Sequence, residues 1–155
     1  MQYFKGSELL MKQLNINGDI NRLDNTLIKN LVCDSCGKSF TGHVGEIDFV
    51  PSKKLSVVGY RCTKCGEPYV IYVADNKLRN GMYLASQYVN IYNKLDKKRI
   101  NEFKYYEDRN RPVPQELINR WQKKMNEAYT KYMKQKEWNV ERNKKLKAEY
   151  LANKK

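Results

Sequence analysis

Four cysteines carry the clearest chemistry in this sequence. They stand as Cys33-Asp34-Ser35-Cys36 and Cys62-Thr63-Lys64-Cys65, each pair followed directly by a glycine, Gly37 or Gly66, with 25 residues between the pairs. Two thiolates three residues apart reach one ion when the chain turns tightly between them. A glycine after the turn lets backbone amides approach the sulfurs without a Cβ in the way. Zinc takes four such soft donors in a tetrahedron, each sulfur at about 2.3 Å. One structural zinc on Cys33, Cys36, Cys62 and Cys65 is therefore the expected cofactor. An iron site of the rubredoxin type uses the same donors, and two disulfides would consume the same residues. A redox C-x-x-C normally stands alone at a helix start within an α/β sheet, whereas both pairs here have strand-like flanks. Because all four donors are cysteine, a tetrahedral ion has no open position for water, which argues against metal catalysis.

The elements that must position these residues are short strands. Ser39 to Val44 leaves the first pair, and Glu46 to Val50 follows Gly45. Pro51-Ser52-Lys53-Lys54 is a turn, Val57 to Arg61 enters the second pair, and Pro68 to Val73 leaves it. Val, Ile, Tyr and Phe dominate these runs, as pleated, half-buried positions favour. Two C-x-x-C-G turns feeding β-hairpins resemble the zinc ribbon, a module of many transcription and RNA-handling proteins. The resemblance covers residues 30–75 and implies a metal-stabilised β fold. So few large apolar side chains cannot hold a core without help.

The flanks read as helices. Ser7 is a candidate cap for Glu8 to Leu14, Asn17-Gly18-Asp19 signals a turn, and Ile20, Leu23, Leu27, Ile28 and Leu31 recur at helical spacing. Beyond the ribbon, Leu84, Tyr88, Ile91 and Leu95 mark one helical face, with a start near Asn80 and Gly81, and Phe103 and Tyr106 extend it. The break at Asn110-Arg111-Pro112-Val113-Pro114 precedes a second helix. It runs without glycine or proline to about Ala152, some 57 Å at about 1.5 Å per residue. The expected fold is α+β: an N-terminal helical segment (1–29), a small β zinc ribbon (30–75) and a basic C-terminal helical hairpin (76–155).

Charge supplies the second functional signal. The chain is 155 residues long with a net charge of +13. Residues 1–95 carry +4 of this and residues 96–155 carry +9. Such an excess favours polyanionic partners through steering and counterion release. Lysines number 22 against 8 arginines, so part of the basicity is also explained by A/T-rich codons. Lysine is moreover a weaker sign of base recognition than the bidentate guanidinium.

Two readings of function follow. In the first, the protein binds nucleic acid or acts with the transcription machinery without being an enzyme. Lys38, Lys53, Lys54, Arg61 and Lys64 of the ribbon and Arg120, Lys123, Lys124 and Lys131 of the last helix would contact its phosphates, while the nearby rings of Phe40, Tyr60, Tyr69 and Tyr72 would offer stacking platforms. In the second, the protein docks on an acidic protein surface as an adaptor, an inhibitor of a host machine or an assembly component. Partly exposed Trp121, Trp138 and Tyr150 would then serve the interface. Small size, A/T-rich composition and lack of enzymatic motifs give the chain a phage-like look. His43 lies in Gly42-His43-Val44-Gly45 and reads as a strand or surface residue, and no phosphate loop or nucleophile elbow is present. No small-molecule substrate is indicated. No stretch reaches the roughly 18 apolar residues of a membrane span, and Met1 to Ser7 lacks a secretory pattern. The expected location is the cytoplasm.

Overall fold

The computed structural model describes Phe4–Lys5 and residues 27–154. Among the described residues six strands and two helices follow one another: β1 (Phe4–Lys5), β2 (Leu27–Val32), β3 (Ser39–His43), β4 (Gly45–Val50), β5 (Leu55–Arg61), β6 (Pro68–Ala74), α1 (Asn76–Glu107) and α2 (Gln115–Asn153). A 3-10 turn at Pro51–Lys53 joins β4 to β5. Chain contacts divide the protein into two units: Met1–Met82 with Asn139–Lys155, and Tyr83–Trp138.

The first unit holds two three-stranded sheets, β1-β2-β3 and β4-β5-β6. All neighbours are antiparallel except β1, which lies parallel to β2 with Phe4 opposite Leu31 and Lys5 opposite Val32. Strands therefore stand where the sequence suggested the end of an N-terminal helix. Ile28 and Leu31, three residues apart, fit helical spacing. In a regular strand they would face opposite sides. A register shift lies between them, and Asn30 there adopts a left-handed backbone with φ 61°. That bulge turns both side chains inward, and both are buried. The expected helix over Glu8 to Leu14, the turn at Asn17 to Asp19, and Ile20 and Leu23 lie outside the described residues.

Strand β5 is the centre of the second sheet, and Val57, Val58, Gly59 and Tyr60 are all buried. Both faces of a central strand are covered, which explains its continuous apolar run. Ile28, Leu31, Phe40, Val44, Val57, Tyr60, Ile71 and Leu78 form one core, which Leu146 of α2 joins from the far end of the chain. Three polar contacts accompany that docking. Asn143 Oδ1 accepts the Val73 amide at 3.0 Å, Arg142 pairs with Asp75, and the Tyr150 hydroxyl donates to Asp48 at 2.6 Å. Asp75 also caps α1 by accepting the Leu78 amide at 2.8 Å. The helix thus begins four residues before the Asn80–Gly81 start suggested by the sequence. Arg79 in its first turn reaches back to Ser56 Oγ at 2.9 Å, the Ala74 carbonyl at 3.0 Å and the Lys54 carbonyl at 3.1 Å.

The second unit is an antiparallel helical hairpin. The turn after α1 closes through Asn110, whose φ is 49°, with the Arg111 amide bonded to the Tyr106 carbonyl at 3.0 Å. Leu117 and Trp121 are buried, and Tyr92 meets Tyr129 with ring centroids 6.3 Å apart. The inward face of α1 differs from the one its spacing suggested. Leu84 and Ile91 are 42% and 49% exposed, while Ala85, Tyr88, Tyr92, Leu95 and Phe103 are covered wholly or in part. The polar stretch in mid-helix joins this inward face. Asp96 binds Arg99 at 2.7 Å, and the Arg99 guanidinium lies 5.6 Å from the centre of the Phe103 ring. A paired arginine laid on an aromatic ring continues the packed stripe where apolar residues run out.

Candidate metal centre

Each sheet ends in one cysteine turn, and the two turns are built alike. In the first, the Gly37 amide bonds to the Cys33 carbonyl at 2.8 Å and the Cys33 amide to the Lys38 carbonyl at 3.0 Å. In the second, the Gly66 amide bonds to the Cys62 carbonyl at 2.9 Å and the Cys62 amide to the Glu67 carbonyl at 2.9 Å. Gly37 and Gly66 have φ of 68° and 83°, a left-handed backbone that side chains with a Cβ seldom adopt. The likeness extends into the strands. Leu31, two residues before Cys33, pairs with Phe40, four after Cys36; Tyr60, two before Cys62, pairs with Tyr69, four after Cys65. Leu31 and Tyr60 are completely buried.

The two turns bring all four Sγ atoms within 4.8 Å of one another. Cys33 and Cys65 are 3.5 Å apart and Cys36 and Cys62 3.9 Å apart. A tetrahedron with metal–sulfur bonds of about 2.3 Å has edges of about 3.8 Å. The cluster is therefore positioned to coordinate a single structural zinc ion, as the spacing predicts. The four thiolates would hold the ion, and it would cross-link the two sheets.

The surroundings grade the four sulfurs. Cys33 and Cys62 are buried, Cys36 is half-buried and Cys65 is exposed. The Lys64 amide lies 3.4 Å from Cys62 Sγ. The hydroxyl of Tyr69 donates to Cys33 Sγ at 3.3 Å and accepts the Asp34 amide at 2.8 Å. This Tyr69 bond is the main reason the Cys33 thiol is pulled down to about 6 in the metal-free cluster. At Cys65 the Glu67 amide also pulls downward, but burial and hydrogen bonds with the other three sulfurs prevail and push the thiol up to about 12. One sulfur is thus ready as thiolate while another must give up a proton to the metal.

Beneath the site Tyr69 stacks on Tyr60 at 5.2 Å and on Phe40 at 6.0 Å. The Tyr60 hydroxyl is pushed up to about 12 by burial and by the charge of Asp34. Gly42 and Gly59 make room for this aromatic layer. A Cβ on Gly42 would stand 2.8 Å from Leu31 Cδ1 and 3.0 Å from the Tyr60 ring; one on Gly59 would stand 2.0 Å from the Tyr69 carbonyl oxygen. Sequence reading did not single out Tyr69 as a sulfur partner. The signal available was the aromatic residue at the same offset in both turns, Phe40 and Tyr69.

Phe40, Tyr60, Tyr69 and Tyr72 are all buried, which corrects their reading as exposed stacking platforms: they are the ribbon's core. Lys38, Lys53, Lys54, Arg61 and Lys64 are exposed, as are Arg120, Lys123, Lys124 and Lys131. Two arginines of that set are engaged. Arg61 donates to the Gly66 and Ile47 carbonyls at 3.3 Å each, and Arg120 lies 3.4 Å from Glu102. Trp121, expected to be partly exposed, is 5% exposed, and its indole nitrogen donates to Glu102 at 2.6 Å. It holds the hairpin together. Tyr150 is half-buried against Asp48, and Trp138 is 44% exposed. His43 is exposed at the end of β3. Among the described residues no helix is long and apolar enough to cross a membrane.

Compared with known proteins, the chain matches no family model, no curated protein and no solved structure. Its ribbon-like character therefore stands on the cysteine geometry itself.

Proposed function

We propose that this is a zinc-ribbon protein that binds nucleic acid, with the metal in a structural role. The observation that carries the reading is where its charges are spent. None of the ion pairs among the described residues engages Lys38, Lys53, Lys54, Lys64, Lys123, Lys124 or Lys131. Exposed lysines without carboxylate partners are free to neutralise phosphates, and the cations that the polyanion then releases drive association. Burial of the ribbon's aromatic residues argues against base stacking there, so contact with the phosphate backbone is the favoured mode. The four cysteines supply the rigid frame rather than a reacting centre.

The test is binding of the zinc-loaded chain to labelled duplex and single-stranded DNA and RNA across a salt series. Affinity falling steeply with salt supports the reading; no binding at 50 mM salt overturns it.

A second reading, docking on an acidic protein surface, draws on the exposed Leu84, Ile91 and Trp138. A stable protein partner recovered together with absent nucleic-acid binding would favour it.

A further inference from the structure

We propose that the outward face of α1 is the principal phosphate-contacting surface, formed by Lys94, Lys97, Lys98 and Lys104 with Asn101 and Tyr105. The inference rests on the nucleic-acid reading above and places it on a helix that the sequence did not single out. All six residues are exposed. Lys94, Lys98, Asn101 and Tyr105 follow one another at helical spacing of four, three and four, so they share a face, and Lys97 and Lys104 flank it.

The sorting of charge within α1 is the central observation. Between Tyr83 and Tyr106 the helix has two carboxylates, Asp96 and Glu102. Both are half-buried and engaged on the hairpin's inner side: Asp96 by Arg99 at 2.7 Å, Glu102 by the Trp121 indole at 2.6 Å and by Arg120 at 3.4 Å. The outer face of this stretch is consequently cationic, with exposed carboxylates only beyond its C-terminal end, at Glu107 and Asp108. None of its four lysines enters an ion pair among the described residues. The exposed surface of α2 is different. There Glu127 and Glu137 are interleaved with Lys123, Lys131 and Lys134, and mixed signs weaken the attraction for a polyanion.

Dimensions and chemistry fit a strand of phosphates. Lys94 and Lys104 are ten residues apart, about 15 Å along the axis. One strand of a duplex carries four or five phosphates in that length, at about 3.4 Å each. Flexible ammonium groups suit phosphate oxygens and do not read base edges bidentately, so this surface holds the polymer without selecting sequence. Tyr105 is 51% exposed beside the cationic row, with Arg109 against its ring at 3.8 Å from the centroid.

The test uses the full zinc-loaded chain and a fluorescent 20-base-pair duplex, with anisotropy followed from 50 to 300 mM salt. Replacing Lys94, Lys97, Lys98 and Lys104 together by glutamine is expected to lower the slope of log K against log salt by about 3 to 4, at roughly 0.9 per phosphate contact. The same four positions as arginine should restore it. A matched glutamine set at Lys123, Lys124, Lys131 and Lys134 should change the slope by less than half as much. If the wild type binds and the α1 glutamine variant keeps its slope, or the α2 set loses as much, the assignment to α1 is overturned while nucleic-acid binding stands. If the wild type does not bind the duplex at 50 mM salt, the underlying reading falls as well. Unchanged circular dichroism in each variant shows that the helices persist.

Discussion

The Tyr69 hydroxyl is held between a sulfur and an amide, donating to Cys33 at 3.3 Å and accepting from Asp34 at 2.8 Å. A donor fixed on a thiolate stabilises its charge and orients the lone pair it offers to a metal. Removing only the hydroxyl, in Tyr69→Phe, leaves the stack on Tyr60 and Phe40 in place. The expected result is a loss of zinc affinity of about 10- to 100-fold, typical for partners one step removed from a metal. Competition against a chromophoric chelator measures it, and a far-ultraviolet spectrum equal to wild type in saturating zinc separates this effect from misfolding. Wild-type affinity in the variant would show that the bond does not support the metal.

Zinc affinity should depend on pH in a way that reports the graded thiols. Protons compete with the metal, so affinity rises with pH wherever a ligand is still protonated in the metal-free chain. Cys33, held down to about 6 by Tyr69, adds to that slope only below about pH 6. Cys65, pushed up to about 12, adds to it throughout the accessible range. The plot of log affinity against pH should therefore steepen by about one unit of slope below pH 6. In Tyr69→Phe the break should move to higher pH, because the main influence lowering Cys33 is gone. A single straight line through pH 5 to 8 for the wild type would contradict the assignment.

Loss of the metal should undo the sheets selectively. The four sulfurs gather at one point between two sheets, and without the ion no covalent bond ties the two cysteine turns together. A strong chelator, or Cys62→Ser, is expected to abolish amide protection in β2, β3, β5 and β6 on hydrogen exchange. Protection there unchanged after verified zinc removal would mean that the core alone holds the fold.

Gly59 is required for reasons of space. A methyl group there would meet the Tyr69 carbonyl oxygen at 2.0 Å, and that oxygen belongs to the backbone of the paired strand rather than to a flexible side chain. Gly59→Ala is expected to destabilise the zinc-loaded protein by about 3 kcal/mol, the upper part of the usual range for overpacking. Urea denaturation at fixed zinc concentration measures it. Gly45, where a Cβ would meet nothing within 4 Å, is the control position and should tolerate alanine far better.

What the sequence disclosed and what it withheld divide along local and long-range lines. The metal ligands, the strands β3 to β6 and the break before Gln115 are set by neighbours in sequence: C-x-x-C-G turns, alternating β-branched runs, a pair of prolines. Strand β2 was misread because one left-handed residue, Asn30, converts a helical spacing into a bulged strand. The inward face of α1 was misread because apolar residues surround that stretch of helix, so that only the partner helix decides which are covered. Trp121 was read as an interface residue although Glu102, nineteen positions earlier, buries it by accepting its indole proton. Asn139 and Asn143, buried and spaced four apart on α2, look like solvent-facing residues in a basic helix. Their burial follows from the return of α2 to β6, which no local pattern announces.

That return gives a prediction of its own. Asn143 satisfies the amide of Val73 from across 70 positions of sequence, and Arg142 beside it pairs with Asp75, which also caps α1. Asn143→Ala would leave a buried N–H without its partner, costing about 1 to 3 kcal/mol. Arg142→Gln should cost about 2 kcal/mol, since one end of a largely shielded charged hydrogen bond is lost. The second loss should be pH-dependent. The Arg142 bond, opposed in part by burial, holds the Asp75 carboxyl below the usual carboxylate range. A depressed folded value means the stabilisation is complete above the unfolded carboxyl value of about 3.9 and is lost as pH falls through the lower folded value. The stability gap between wild type and Arg142→Gln should therefore be constant from about pH 8 to pH 5 and close below about pH 4. The Asn143→Ala gap involves no titrating group and should persist across that range. Urea titrations of the three proteins at stepped pH decide between these outcomes; parallel behaviour of the two variants below pH 4 would remove Asp75 as the partner that matters to Arg142.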